Sequence, residues 1–338
     1  MQLKERIALL VQLGHYMQEH EESWMAAKHK AFVENNWFIP EFIDTSVQHI
    51  ATHYLQESKL SDLAKSYHIP EQPDSPKKVG IVLPGTTPLG GFHDIIAVFL
   101  AGHYAAIKVS ARDEALIKHL VDKLQEWAPN GRLYFSIATM LKGCDAYIVT
   151  NTRETTTSFD QYFGKYPSII RRNKTAVAVL NGNETSEELE KLADDIHLYF
   201  GLGSRNVTKL YTPENYDFVP LLNAFKKYEY FSNHNKFKNN YDYNLSIHIL
   251  NNQFYMTNGS ILLSEATSLF SPISQVHYEF YTDRAQLLEY LQQKEEVEGI
   301  VSQEQIPFGQ INFPSLATFE KGMSTLEFLN NLSAQEKN

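Results

Sequence analysis

The amino-acid sequence predicts an α/β protein with parallel sheets, and three observations carry the prediction. Short runs rich in Val, Ile, Ala and Leu recur between residues 79 and 180, several followed by a stretch of helical period. The junctions carry Gly and Pro, as in LPGTTPLGGF at 83–92. The chain has 338 residues, 43% hydrophobic and 21% charged. That is apolar material for two domains or one large α/β unit, and the wrong composition for a disordered or fibrous chain. Strands separated by single helices imply right-handed crossovers between parallel neighbours.

Residues 1–69 precede this pattern and read as helices. Ile7, Leu10, Leu13 and Met17 recur at helical spacing, then Trp24, Phe32, Val33, Trp37 and Phe38, then Ile50, Tyr54, Leu60 and Leu63. They predict an amphipathic layer whose Trp and Phe residues serve packing. Pro70, Pro73 and Pro76 follow as a joint and a candidate subdomain boundary. Strands are expected at 79–83, 105–109, 133–136, 146–150 and 175–180, and helices at 92–102, 113–127, 153–164 and 184–200. Residues 226–258 are rich in Asn, Tyr and Lys with no long period, which predicts loops with a hairpin at 245–256. A strand at 276–281, a helix at 283–293, a strand at 299–301 and a helix at 324–332 complete the order.

Composition narrows the function. A net charge of −10 argues against a general nucleic-acid binder, which needs a concentrated basic surface. No apolar run reaches the ~18 residues of a membrane helix, and residues 1–24 carry no signal-type apolar region. The single cysteine makes no intrachain disulfide and no cysteine-rich zinc site. The 13 histidines show no HExxH or paired ligand spacing, so no metal is expected. The expectation is a soluble cytoplasmic protein.

Three segments can carry chemistry, each with a bland alternative. The Gly-rich turn 83–92 lets backbone N–H groups approach a phosphate or cofactor, or is an ordinary strand-to-helix turn; it is neither GxGxxG nor a P-loop. Lys108 and Ser110 end a strand, where they hold ribose or phosphate oxygens or are simply solvated. In YFGLGSRNVT at 199–208, Ser204 is a nucleophile if a base is near, and otherwise Gly201 and Gly203 cap a helix and turn. His93, His103, His197 and His277 read as structural or surface residues, and Cys144 as a small buried hydrophobe.

The run FDQYFGKYPSIIRRNKTAVAVLNGNETSEELEKLADDIHLYFGLGSRNVTKLYTP at 159–213 resembles the acyl-CoA reductases related to the LuxC component of the bioluminescence fatty-acid reductase. It is closer still to their non-luminous Bacteroidetes-type relatives. LPGTTPLGGFHD, AGHYAAIKVS, NNYDYNLSI, SPISQVHYEFY and PFGQINFPSL match as well, so the resemblance runs over nearly the whole chain. It implies an aldehyde-dehydrogenase-like α/β fold: a helical N-terminal segment with an NADP-binding Rossmann-like domain over 1–180, a catalytic domain over 181–306 and a return segment over 307–338. It implies NADPH-dependent reduction of an acyl-CoA or other activated acyl group to an aldehyde, through an acyl-enzyme at position 204. There the chain departs from the family motif, which resembles YFGLGCRNV: Ser204 stands in place of the nucleophilic Cys.

By the same resemblance Thr86 and the residue-204 N–H hold the oxyanion, and Glu184 is either general base or helix N-terminal charge. Lys108, Ser110, Thr150, Arg153, Thr155 and Glu265 contact the NADPH cofactor. The implied partners are an acyl-CoA or acyl-thioester substrate, a second copy of the chain and an acyl-activating enzyme, with no nucleic acid and no membrane insertion. Two rival readings are a non-catalytic acyl- or cofactor-binding protein and a serine acyltransferase or thioesterase.

Overall fold

The computed structural model describes residues 1–150, 163–317 and 324–334. The chain forms two compact units, 1–173 with 315–338 and 174–314.

In the first unit the N-terminal helices α1 (Leu3–Gln18), α2 (Glu22–Glu34), α3 (Pro40–His49) and α4 (Glu57–Ser66) form as their apolar spacing predicts. A five-stranded sheet follows: β1 (Lys78–Val82), β2 (Tyr104–Lys108), β3 (Phe135–Ile137), β4 (Ala146–Thr150) and β5 (Ser168–Arg171). All pairs are parallel and the order is β3-β2-β1-β4-β5. Helix α5 (Phe92–Leu100) makes the crossover from β1 to β2, and α6 (Glu114–Trp127) with the single turn α7 (Gly131–Tyr134) that from β2 to β3. Every residue of α5 is buried, because it lies between sheet and helical layer.

The proline joint is not a boundary. Leu10, Leu13, Trp24, Leu60, Ile81, Phe99, Ile107 and Leu120 belong to one continuous core. Arg6, fully buried, ties the joint down by donating to the carbonyls of Pro70 (3.0 Å), Glu71 (3.1 Å) and Leu100 (3.0 Å).

The second unit holds a six-stranded sheet of β6 (Thr175–Val179), β7 (Val207–Pro213), β8 (Met256–Thr257), β9 (Leu262–Glu265), β10 (Gln275–Tyr281) and β11 (Val297–Val301). The order is β11-β6-β7-β10-β9-β8, parallel except for β8 against β9. Helix α8 (Ser186–His197) opens with a capping box, Thr185 and Glu188 satisfying each other's N–H groups, and buries Leu189, Leu192 and Ile196. Helices α9 (Val219–Ala224), α10 (Asn235–Leu250) and α11 (Arg284–Gln293) complete the unit. The last helix, α12 (Thr325–Ala334), belongs to the first unit, where Leu326 and Leu329 enter the core.

Three expectations are corrected. The boundary drawn at 180 falls at 173/174, because β6 pairs with β7 and β11 of the second sheet. The chain returns to the first unit at 315, not 307, since Phe308 and Ile311 are buried in the second. Residues 235–250 are a helix, not loops with a hairpin. Its inward stripe is Phe237, Tyr241, Asn244 and His248, and the two polar members dilute the apolar period. The helix expected at 153–164 lies almost wholly outside the described residues.

Candidate active site

The sheet order of the first unit reverses direction beside β1: the chain builds β1, β2, β3 outward one way, then β4 and β5 the other. Such a switch point opens a crevice at the carboxyl ends of the strands, where open α/β sheets bind ligands. At that end lie Gly85–Thr86 after β1, Lys108 at the end of β2 with Ser110 just beyond it, and Thr150 at the end of β4. Gly85 is left-handed (φ 64°), and a Cβ there would lie 2.4 Å from the Ser110 Oγ, so the loop after β1 is pressed onto Ser110. Gly85→Ala is expected to cost about 1–3 kcal/mol. A thermal melt checks this, and an unchanged melting temperature would mean the loop is not seated on Ser110.

Lys108 is exposed, while Thr86, Ser110 and Thr150 are half-buried. Asp113, at the head of α6, is buried, and burial pushes its carboxyl well above the usual range. The donors at this end are a cation, hydroxyls and the N–H groups of a Gly-rich turn, groups that can hold phosphate oxygens. Arg153 and Thr155 lie outside the described residues.

Sequence reading missed Arg171, at the end of β5. Its guanidinium meets Asp94 of α5 through both nitrogens (2.5 and 2.9 Å), donates to Thr325 at the head of α12 (2.7 Å), and reaches the Thr150 Oγ1 (3.4 Å). Only the paired strands place Arg171 over Asp94, and nothing local in sequence signals it.

In the second unit, α8 is followed, after Leu198, by three left-handed residues, Tyr199 (φ 55°), Phe200 (φ 55°) and Gly201 (φ 73°). Two of the three are not glycine, a strain of about 1–3 kcal/mol each. Phe200 is buried against Phe231 (ring centroids 4.5 Å), Phe237 and His234, which holds the strained stretch in place. Ser204 follows in a turn before β7, with its side chain exposed. Among the described residues neither its hydroxyl nor its N–H has a hydrogen-bond partner. The turn around it is pinned. Asn206, fully buried, accepts from the Gly203 N–H (2.8 Å) and donates to the Leu198 carbonyl (2.8 Å). Arg205 pairs with Glu298 (2.9 Å), which also holds Lys174 (3.0 Å).

Glu184 is corrected as a base for residue 204. Ser204 precedes the amino end of β7, whereas Glu184 follows the carboxyl end of the parallel neighbour β6. The length of a five-residue strand, roughly 16 Å, separates those ends. The Glu184 carboxylate accepts instead from the N–H groups of Asn181 (2.6 Å) and Gly182 (3.2 Å), closing the turn before α8. Glu265, exposed, ends β9 opposite Tyr278. The next carbonyl, of Ala266, accepts from the buried Lys209, whose amine also meets Glu279 (2.7 Å).

The bland readings hold for His197 and Cys144. His197 is buried, donates to the Ala193 carbonyl, and burial pushes it down to about 4, so it is neutral. Cys144 is buried in an apolar cluster with Tyr147 and Val149, and burial raises its thiol. No group of three or more metal-ligating side chains occurs among the described residues. None of the helices among them is long and apolar enough to cross a membrane.

Asp195, whose carbonyl accepts from the Asn206 Nδ2 (3.1 Å), has its carboxyl pushed up to about 7 by burial, with Asp194 adding to this and the Gly309 N–H (2.7 Å) opposing it. The unfolded carboxyl ionises near pH ~4. Between there and about 7 the unfolded state has released a proton that the folded state keeps, so stability falls as pH rises through that window and levels off above it. Asp195→Asn, a mimic of the protonated form, is expected to raise the melting temperature at pH 8 more than at pH 5. Equal gains at both would contradict a titrating Asp195.

No family model matches the sequence, and no curated protein does. Solved structures do match in fold. An NAD-dependent aldehyde dehydrogenase from Sinorhizobium meliloti superposes with a TM-score of 0.66 at 10% identity, over 89% of this chain and 70% of that one. The fold is that of the aldehyde dehydrogenases. Aldehyde dehydrogenase 21 from Physcomitrella patens, in complex with its product succinate, gives 0.65 at 13% identity over 90% and 74% of the two chains. Succinic semialdehyde dehydrogenase from Streptococcus pyogenes, with NADP+ as cofactor, gives 0.64 at 12% over 88% and 76%.

Proposed function

We propose that this chain is a reductase that takes an activated acyl group, as acyl-CoA or another acyl thioester, onto residue 204 and releases it as an aldehyde at the expense of NADPH. The observation that supports this most is the turn at 203–206, in a chain of aldehyde-dehydrogenase fold: an exposed side chain at 204 beside an unpartnered N–H, on a pinned backbone.

In the first step the residue-204 side chain adds to the thioester carbonyl, the thiol leaves with the proton that the side chain gave up, and the acyl group stays on residue 204. The N–H of residue 204 stabilises the developing oxyanion. Lys108 and Ser110 would hold ribose or phosphate oxygens of the cofactor, with Thr150 beside them. When bound, NADPH supplies the hydride that, with one proton, frees the acyl group as aldehyde and leaves NADP+. Serine is a poor acceptor here, because Ser204 has no base hydrogen-bonded to it among the described residues. That same feature weighs against a serine thioesterase.

The test is NADPH oxidation with a chain-length series of acyl-CoAs, on this protein and on Ser204→Cys, with aldehyde trapped as its hydrazone. Aldehyde from the Cys form supports the reading. Free acid without NADPH consumption points to a hydrolase. NADPH binding with no product from either form overturns the reading in favour of a binding protein.

A further inference from the structure

We propose that Asn206 is the positioning residue of residue 204: it grips both peptide units flanking Gly203 and so turns the Ser204 N–H outward, toward the oxygen of a bound acyl group. The inference rests on the reading of residue 204 as the acyl acceptor.

A trans peptide unit is planar, so its C=O and N–H point opposite ways. The Gly203 carbonyl accepts from the Asn206 N–H (3.2 Å). The other end of that same unit is the Ser204 N–H, which must therefore point away from Asn206. The preceding unit is held as well, by the Gly203 N–H donating to the Asn206 Oδ1 (2.8 Å). Glycine, with the widest choice of backbone angles, is thus fixed on both sides by one residue.

The grip is itself immobile. Asn206 is fully buried, and its Nδ2 donates to the carbonyls of Leu198 (2.8 Å) and Asp195 (3.1 Å) at the end of α8. Those carbonyls lie where a helix runs out of its own N–H groups. The contacts also decide which way the amide faces: the carbonyls need a donor and the Gly203 N–H needs an acceptor. Aspartate would lack the donors, and serine lacks the reach to serve both. One amide therefore joins the end of α8 to the turn that carries residue 204. Its removal should harm a step that builds an oxyanion more than one that does not.

The experiment compares Ser204→Cys with Ser204→Cys/Asn206→Ala in two reactions: single-turnover CoA release from an acyl-CoA, and alkylation by iodoacetamide, which forms no oxyanion. Acylation is expected to fall about 100-fold, with alkylation changed less than about fivefold and NADPH affinity unchanged. Both rates falling together, or neither falling, overturns the proposal. Should Asn206→Ala fail to fold, amide hydrogen exchange on the unaltered protein decides: the Gly203 N–H is expected to be protected and the adjacent Ser204 N–H to exchange nearly freely. Fast exchange at Gly203 overturns the grip. If Ser204→Cys takes no acyl group at all, the reductase reading falls, and the exchange pattern alone then decides whether Asn206 holds the turn.

Discussion

Ser204→Cys is expected to raise acyl transfer from an acyl-CoA by about a thousandfold or more, some 4 kcal/mol of barrier. A thiol of ordinary pKa, about 8.5, is a few per cent thiolate at neutral pH, and the thiolate is an intrinsically strong nucleophile. A serine hydroxyl has almost no alkoxide without a base, and Ser204 has none hydrogen-bonded to it among the described residues. The product of the first step matters too, since an oxygen ester accepts hydride less readily than a thioester. The side chain at 204 is exposed and its neighbours Arg205 and Asn206 are held by their own partners, so the exchange should leave stability within about 0.5 kcal/mol. A pre-steady-state burst of CoA release measures the gain. Equal bursts from the serine and cysteine forms would mean that serine chemistry is real here and that its base has yet to be found.

Asp94→Ala is expected to destabilise the first unit by about 3–5 kcal/mol. Asp94 is fully buried on α5, and Arg171, only 10% exposed at its side chain, would lose the carboxylate it grips through two nitrogens. That pair also links β5 and, through Thr325, the head of α12 to α5. Burial alone would raise the Asp94 carboxyl, but the Arg171 guanidinium and His93 more than reverse this and hold it below the usual range. Its contribution is therefore present above pH ~4 and lost as pH falls through the lower folded value. Urea unfolding at pH 7 measures the loss, and a change below about 1 kcal/mol would show that the unit does not depend on the pair.

The periodic elements were legible because their signal is local. The helices of residues 1–69, strand β1 and helix α6 carry their own apolar spacing, and the structure places each within a few residues of the expectation. Helix α10 was not legible, because its buried stripe includes Asn244 and His248, held by partners distant in sequence at Ile273 and Gln275. Strand β5 was hidden likewise, since SIIR gains its meaning only beside β4. In the candidate site, Lys108 and Ser110 could be named from a strand end, while Thr86 came from the family resemblance. The placement of Ser204 came from the motif. What holds these residues could not be read: Arg171 meets Asp94 across 77 positions, and Arg205 meets Glu298 across 93. Glu184 shows the converse error, because a carboxylate before a helix reads alike whether it serves chemistry or closes a turn, and only the sheet topology separates the two.

The central claim is that residue 204 accepts the acyl group. Its most direct test is the mass of the Ser204→Cys protein after incubation with an acyl-CoA in the absence of NADPH, followed by peptide mapping. The account predicts a gain of one acyl group on the peptide carrying residue 204, discharged as aldehyde once NADPH is added. An acyl group on any other residue, Cys144 included, or no acylation by a folded protein that binds NADPH, would contradict it.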